Sequence, residues 1–184
     1  MIEPPAASII PELLTARLRL RGWRESDRVP FAAQNADAET MRFIGGPLTR
    51  AASDAYFDRA IQNWAEDGCG KWVLEETETG GFVGALGLQR PRFEADFTPA
   101  VEIAWRLTRA HWGRGFATEA ARAAVDWGFE TMNLPEIIAM TVPDNWPSRR
   151  VMERLGMRLA GRFDHPLLAR EDPLRPHVLY RLAR

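Results

Sequence analysis

The stretch HWGRGFATEAARAAVDWGFE, His111 to Glu130, places two glycines one residue apart directly before a long alanine-rich run. From Ala117 the apolar positions fall at 117, 120, 121, 124, 125, 128, 129 and 132, which is the spacing of one helix face. Thr118, Arg122, Asp126 and Glu130 fall outward at four-residue steps. The spacing predicts a helix beginning near Gly115 or Phe116. Glycine disfavours helix, so Gly113 and Gly115 mark either a bare strand-to-helix turn or a loop whose N–H groups must approach an anion. The first N–H groups of a helix lack internal partners and carry about half a positive charge. A glycine loop ahead of them exposes further N–H groups with no Cβ in the way. Strand, glycine loop and helix N-terminus together suit a phosphate or pyrophosphate. The spacing excludes a P-loop, which would end in GK[ST]. It also excludes the dinucleotide fingerprint, which needs a third glycine and an acidic residue after the following strand.

Working outward, VEIAWRL before the loop alternates Val101, Ile103, Trp105 and Leu107 against Glu102, Ala104 and Arg106, a strand pattern. IIAMTV after the helix is a continuous apolar run, read as a buried strand. DNWPSRRVMERLGM reads as a short helix, with Pro147 early and Gly156 just past its end. Upstream, KWVLEET and FVGALGLQ are two strands joined by the turn ETGG. LTARLRLRGW alternates leucines with arginines, a strand with one wet face. Two helical segments lie between, around DRVPFAAQNADAETMRFI and SDAYFDRAIQNWAED. The second is expected to carry Phe57, Ile61 and Trp64 on one face and to be capped by Ser53. The tail suggests a strand, a proline-rich loop and a closing strand, HVLYRL. The pattern predicts an α+β (mixed α/β) fold: one mixed, mostly antiparallel twisted sheet of about seven strands with helices on both faces. Residues 1–12, with Pro4, Pro5 and Pro11, read as a loose leader, and 13–184 as a single domain.

The bulk properties narrow the function. The chain has 184 residues and a net charge of −1, so no overall field recruits nucleic acid or an anionic membrane. Lys71 is the only lysine among the cations, and Cys69 the only cysteine, so no internal disulfide can form. The first residues lack a basic start and a long apolar run. A cytoplasmic protein, monomer or homodimer, is expected.

The run VEIAWRLTRAHWGRGFATEAARAAVDWGF resembles the acetyl-CoA-binding core of the GNAT superfamily of N-acetyltransferases, and within it the RimJ/RimL-like branch. TARLRLRGW, WVLEE, DNWPSRRVMERLGM and HVLYRL fit that branch in the same order, so the resemblance covers nearly all of residues 14–184. It departs at Trp112, which stands where the superfamily's loop pattern begins with Arg or Gln. The resemblance implies that the amides of Trp112, Gly113, Arg114, Gly115, Phe116 and Ala117 cradle the pyrophosphate of coenzyme A. Arg114 would add charge and Thr118 a hydroxyl, while Glu119 should point away. It further implies that the strands on either side of the helix splay apart, with the thioester in the gap beside Ile103, Ala104 and Trp105. The expected activity is acetyl transfer from acetyl-CoA to a primary amine, either a protein N-terminal α-amine or a small molecule.

That chemistry needs a group to take the amine's proton and donors for the carbonyl oxygen. No metal is needed, and no close His/Cys cluster offers a site for one. In relatives a glutamate at the place of Glu102 serves as general base, whereas the residue pattern alone also allows a solvent-side glutamate. Many members carry a tyrosine acid where Met152 stands here, and methionine donates no proton. In the RimJ/RimL-like branch an Asn and a Ser take over, which are Asn145 and Ser148; both residue types also suit helix capping. His165, near the expected acceptor site, is a weaker base candidate, and His177 reads as structural. A non-catalytic acyl-CoA-binding sensor or interaction module is the alternative, supported by the missing tyrosine and opposed by Glu102, Asn145 and Ser148.

Overall fold

The computed structural model describes residues 10–184, and residues 1–9 of the expected leader lie outside the described residues. The strands are β1 (Leu13–Leu14), β2 (Leu18–Arg21), β3 (Lys71–Glu76), β4 (Phe82–Gln89), β5 (Glu102–Leu107), β6 (Glu136–Thr141), β7 (Arg158–Asp164) and β8 (Pro176–Ala183). They form one sheet in the order β1-β2-β3-β4-β5-β6-β8-β7. Every neighbouring pair is antiparallel except β5–β6, which α4 (Phe116–Glu130) joins as a crossover. Eight strands replace the expected seven. The addition is β1, pairing Leu13 with Leu20, and two residues are too short to show a period.

The two faces of the sheet are covered by different helices. On one, Ala120, Ala121 and Ala124 of α4 are fully buried against Leu86, Leu88, Ile103 and Trp72. Their small side chains let the helix lie close, and each fully buried large residue contributes roughly 1.5–3 kcal/mol. On the other, α1 (Arg28–Ala36), α2 (Ala38–Met41) and α3 (Arg50–Asp67) precede β3. Phe31 and Phe57 meet Ala85 there, with the edge of Trp23 at 4.9 and 5.1 Å from their rings. No helix among the described residues is long and apolar enough to cross a membrane.

Three local expectations are corrected. Helix α3 starts one turn earlier than its pattern suggested, so Thr49 is its cap, accepting from the Ala52 amide at 3.2 Å. Ser53 is instead buried, where its hydroxyl accepts from Asn35 Nδ2 at 2.8 Å. The inward face is Ser53, Phe57, Ala60 and Trp64, and Ile61 is exposed. The arginine face of β2 is not simply wet, since Arg21 is buried. Asp27 takes its Nη1 and Nη2 at 2.8 and 2.9 Å, and Glu75 takes its Nε at 2.6 Å. A buried guanidinium is tolerated because carboxylates meet it on both edges.

Candidate active site

At the entrance to α4 the glycine loop adopts the backbone its composition implied. Gly113 and Gly115 have φ of 72° and 81°, left-handed values that a side chain strains. A Cβ on Gly113 would meet nothing within 4 Å, so the space above the loop is open. None of the amide N–H groups of residues 113–118 has an acceptor among the described residues; the first helical turn closes only with the Glu119 amide to the Gly115 carbonyl. The Thr118 hydroxyl is buried beside them without a partner. These donors fit a pyrophosphate.

The charges around the loop are partly committed. Arg114 Nη2 meets Glu76 Oε1 at 2.6 Å, and its guanidinium lies 4.4 Å from the Phe116 ring centre. Glu119 turns toward the β1–β2 hairpin, where it accepts from the Thr15 hydroxyl at 2.6 Å and from Arg17 Nε at 2.8 Å. These bonds, with burial opposing them, hold its carboxyl below the usual range. Arg17 also donates to the Arg114 carbonyl at 2.9 Å, bracing the loop from outside. Trp112 is half exposed and anchors the other end, with its indole N–H on the Leu107 carbonyl at 2.8 Å.

The loop stands at the open end of a gap in the sheet. Strands β5 and β6 share one registered pair, Glu102 with Ile138, sealed by the Ile138 amide on the Val101 carbonyl at 2.9 Å. Beyond it they diverge, leaving the backbone of Ile103, Ala104 and Trp105 without a β6 partner. At the end of β6, α5 (Trp146–Arg154) begins. Asn145 is its cap: Oδ1 accepts from the Ser148 amide at a long 3.4 Å, and Nδ2 donates to Thr141 Oγ1 at 2.9 Å. Gly156 closes the helix in a left-handed turn, with the Met157 amide returning to Met152 and the Gly156 amide to Glu153.

Glu102, at the closed end, faces α3 rather than solvent and is 8% exposed. The helices laid over that face bury what the strand pattern left open. Gln89, its registered partner on β4, donates to Oε2 at 2.8 Å. Burial pushes the Glu102 carboxyl up, against weaker downward pulls from the Gln89 bond and the Lys71 charge. It lines a cleft of about 350 Å³ together with Asn63, Phe93, Thr141, His165 and His177. The site therefore has a loop of unpaired amides and a helix start at the mouth of a split sheet, and a buried carboxyl with a raised pKa in a cleft at its root.

The model of the acetyltransferase (GNAT) domain matches residues 17–158. The chain belongs to the GNAT acetyltransferases. An uncharacterised N-acetyltransferase of Bacillus subtilis, YnaD, is 47% identical over 152 residues, 82% of this chain and 85% of that protein. The crystal structure of an acetyltransferase from Agrobacterium tumefaciens superposes with a TM-score of 0.78 at 34% identity, covering 95% of each chain. RimJ of Mycobacterium smegmatis, in complex with CoA-disulfide, shares the fold with a TM-score of 0.72 at 23% identity over 90% of this chain and 81% of that one.

Within this GNAT site the histidines divide. His165 and His177 stack 5.0 Å apart in the cleft, so His177, read as structural, joins the wall. Burial lowers both; the His177 charge lowers His165 further, and the Arg175 carbonyl pulls His177 back up. His111 is outside the cleft, bonded to Thr108 at 2.6 Å behind the loop. Gln89, Arg17 and Tyr56 carry no motif, and Lys71 stands out in the sequence only as the sole lysine. Gln89 was within reach, since pairing FVGALGLQ antiparallel to VEIAWRL sets it against Glu102.

Proposed function

We propose that this GNAT acetyltransferase moves the acetyl group of acetyl-CoA to a primary amine bound in the cleft beside Glu102, by direct attack in a ternary complex. The observation that carries the reading is the placement of a buried carboxylate at the root of a split whose mouth holds a row of unpaired amides. Acetyl-CoA supplies an acetyl thioester, whose C–S bond breaks as the amine nitrogen bonds to the carbonyl carbon. The amides of residues 113–118, with Arg114 and the Thr118 hydroxyl, would hold its pyrophosphate. The edge of Ile103, Ala104 and Trp105 that has no β6 partner would line the pantetheine arm and offer a donor to the carbonyl oxygen.

Glu102 takes the proton released by the amine, directly or through one water. Its raised pKa brings it nearer neutral pH, and Gln89 fixes the carboxylate. Asn145 positions the arm or the acceptor while capping α5, and Ser148 directs its hydroxyl to the departing sulfur. The RimJ/RimL-like resemblance supports these two roles in place of a tyrosine acid.

Calorimetric titration with acetyl-CoA tests the first half. Binding to the wild type and none to Gly115→Glu, which puts a carboxylate and a strained φ into the loop, is expected; equal binding would remove the loop from the site. Thiol release with a pooled set of amines tests the second half. It should appear in the wild type and vanish in Glu102→Gln, whereas binding without any release would leave an acyl-CoA sensor.

A further inference from the structure

We infer that the acceptor amine carries a carboxylate, and that Arg106 and Lys71 receive it in a recess beyond Glu102. This rests on the transferase reading above and names its substrate class. Arg106 follows Glu102 and Ala104 on the same face of β5, and Lys71 starts β3 on that side of the sheet. Tyr56 of α3 stands over both. The Lys71 ammonium donates to the Tyr56 hydroxyl, and the Arg106 guanidinium lies 5.2 Å from the Tyr56 ring centre and 5.5 Å from that of Phe31. Tyr56 is followed one and two turns along α3 by Arg59 and Asn63, which line the cleft holding Glu102. The two cations and the cleft thus lie on one face of the sheet and under one helix. Arg106, Tyr56 and Lys71 are each partly exposed, so a solute can reach them.

These two cations are half-buried and lack an acidic partner. Arg21, a guanidinium buried on the sheet, is met by Asp27 and Glu75, which is how this fold treats a buried charge that it satisfies itself. At the cleft rim Arg59 and Arg92 are likewise taken by Glu66 and Asp67. Neither Arg106 nor Lys71 forms an ion pair among the described residues, and Arg106 Nε is buried with no acceptor at all. Burial pulls the Arg106 guanidinium below its ordinary value, the sign of a cation held without a counter-ion. Arg106 Nη1 reaches only Met41 Sδ, at 2.8 Å; a half-buried cation without an acidic partner is costly, and an anion arriving with the substrate relieves that cost.

The charge count selects the anion. Of the groups not fully exposed, two cations, Arg106 and Lys71, share the region with one carboxylate, Glu102, while Arg90 at the cleft rim is exposed and screened by water. A monoanion therefore balances the inner site and a phosphate dianion overshoots it. The same field serves the reaction, because nearby cations disfavour the ammonium form of the acceptor and favour the neutral nucleophile. It also disfavours polyamines, which bring further positive charge, and a peptide N-terminus, which carries no carboxylate beside its amine.

The test compares leucine, leucinamide, isoamylamine and phosphoethanolamine as acceptors with acetyl-CoA, in the wild type, Arg106→Gln and Arg106→Lys. Leucine should be acetylated at least tenfold more efficiently than the two carboxylate-free amines and than phosphoethanolamine. Arg106→Gln should raise KM for leucine about tenfold or more and act several-fold less on leucinamide, which loses only the field and not a bound carboxylate, and Arg106→Lys should recover part of the loss. Equal use of leucine and leucinamide by the wild type, or preference for phosphoethanolamine, would overturn the assignment without touching the transferase reading. A parallel titration of the wild type with N-acetylleucine and N-acetylleucinamide judges the recess independently of turnover. If no amine is acetylated the transferase reading falls, and the carboxylate site falls with it only if the two acetyl compounds bind equally.

Discussion

Glu102 shows how one residue's environment sets its chemistry. On the strand it is an ordinary alternating position, yet α3 and Gln89 turn it into a buried carboxyl with a raised pKa. A base must be ionised to work, so kcat/KM should rise with pH along a limb whose midpoint lies above the ordinary glutamate value of 4.5. Glu102→Gln should flatten that limb and lower kcat about 100-fold or more with acetyl-CoA affinity retained. A residual rate with the same limb would move the base elsewhere, His165 being next. The linkage has the opposite sense for stability. Between the ordinary and the raised value the folded protein keeps a proton that the unfolded chain has lost, so Glu102 makes stability fall as pH climbs through that window. Glu102→Gln should therefore unfold at a higher temperature than the wild type at pH 8 and at nearly the same temperature below pH 4. Thermal melts across pH check the sign.

At the scale of elements, α5 combines support with chemistry. Its start is held by Asn145 through the Ser148 amide and Thr141, and its end by the turn at Gly156. Asn145→Ala should cost about 1 kcal/mol, the usual worth of such a cap. Asn145→Asp keeps an oxygen for the cap but loses the N–H that ties α5 to β6. Its melting temperature should stay near the wild type's while its turnover falls at least tenfold. Full activity in Asn145→Asp would reduce Asn145 to a cap. Helix α4 acts differently: its alanines bring it close to the sheet, and its first turn leaves the unpaired amides at the mouth of the β5–β6 split. One element thus completes the core and presents the anion site.

For the whole molecule, Cys69 reports on the integrity of the core. It is fully buried between α3 and β3, and burial pushes its thiol up to about 11. Alkylation by iodoacetamide at pH 8 should be slow in the folded protein and rise with urea in step with unfolding. Saturation with acetyl-CoA at about 100 times its Kd should slow labelling through global opening roughly 100-fold, equal to about 2.7 kcal/mol. Labelling as fast in buffer as in concentrated urea would contradict the buried position.

Local spacing carried much of this protein. The glycine loop, the start of α4, most strands and the short capped helix follow from side-chain periods, caps and left-handed glycines, which neighbouring residues dictate. The resemblance carried by these residues named the family. Other features depend on which helix covers which face of the sheet, a matter of contacts far apart in sequence. Glu102 became buried because α1–α3 lie over its strand face. Arg21 found Asp27 and Glu75 for the same reason. Lys71 met Tyr56, and Arg106 was left without a carboxylate, because packing sets charges side by side without regard to the periods that lay out the strands. The elements were written in the sequence, and the tertiary structure decided which of their charges are buried and which are paired.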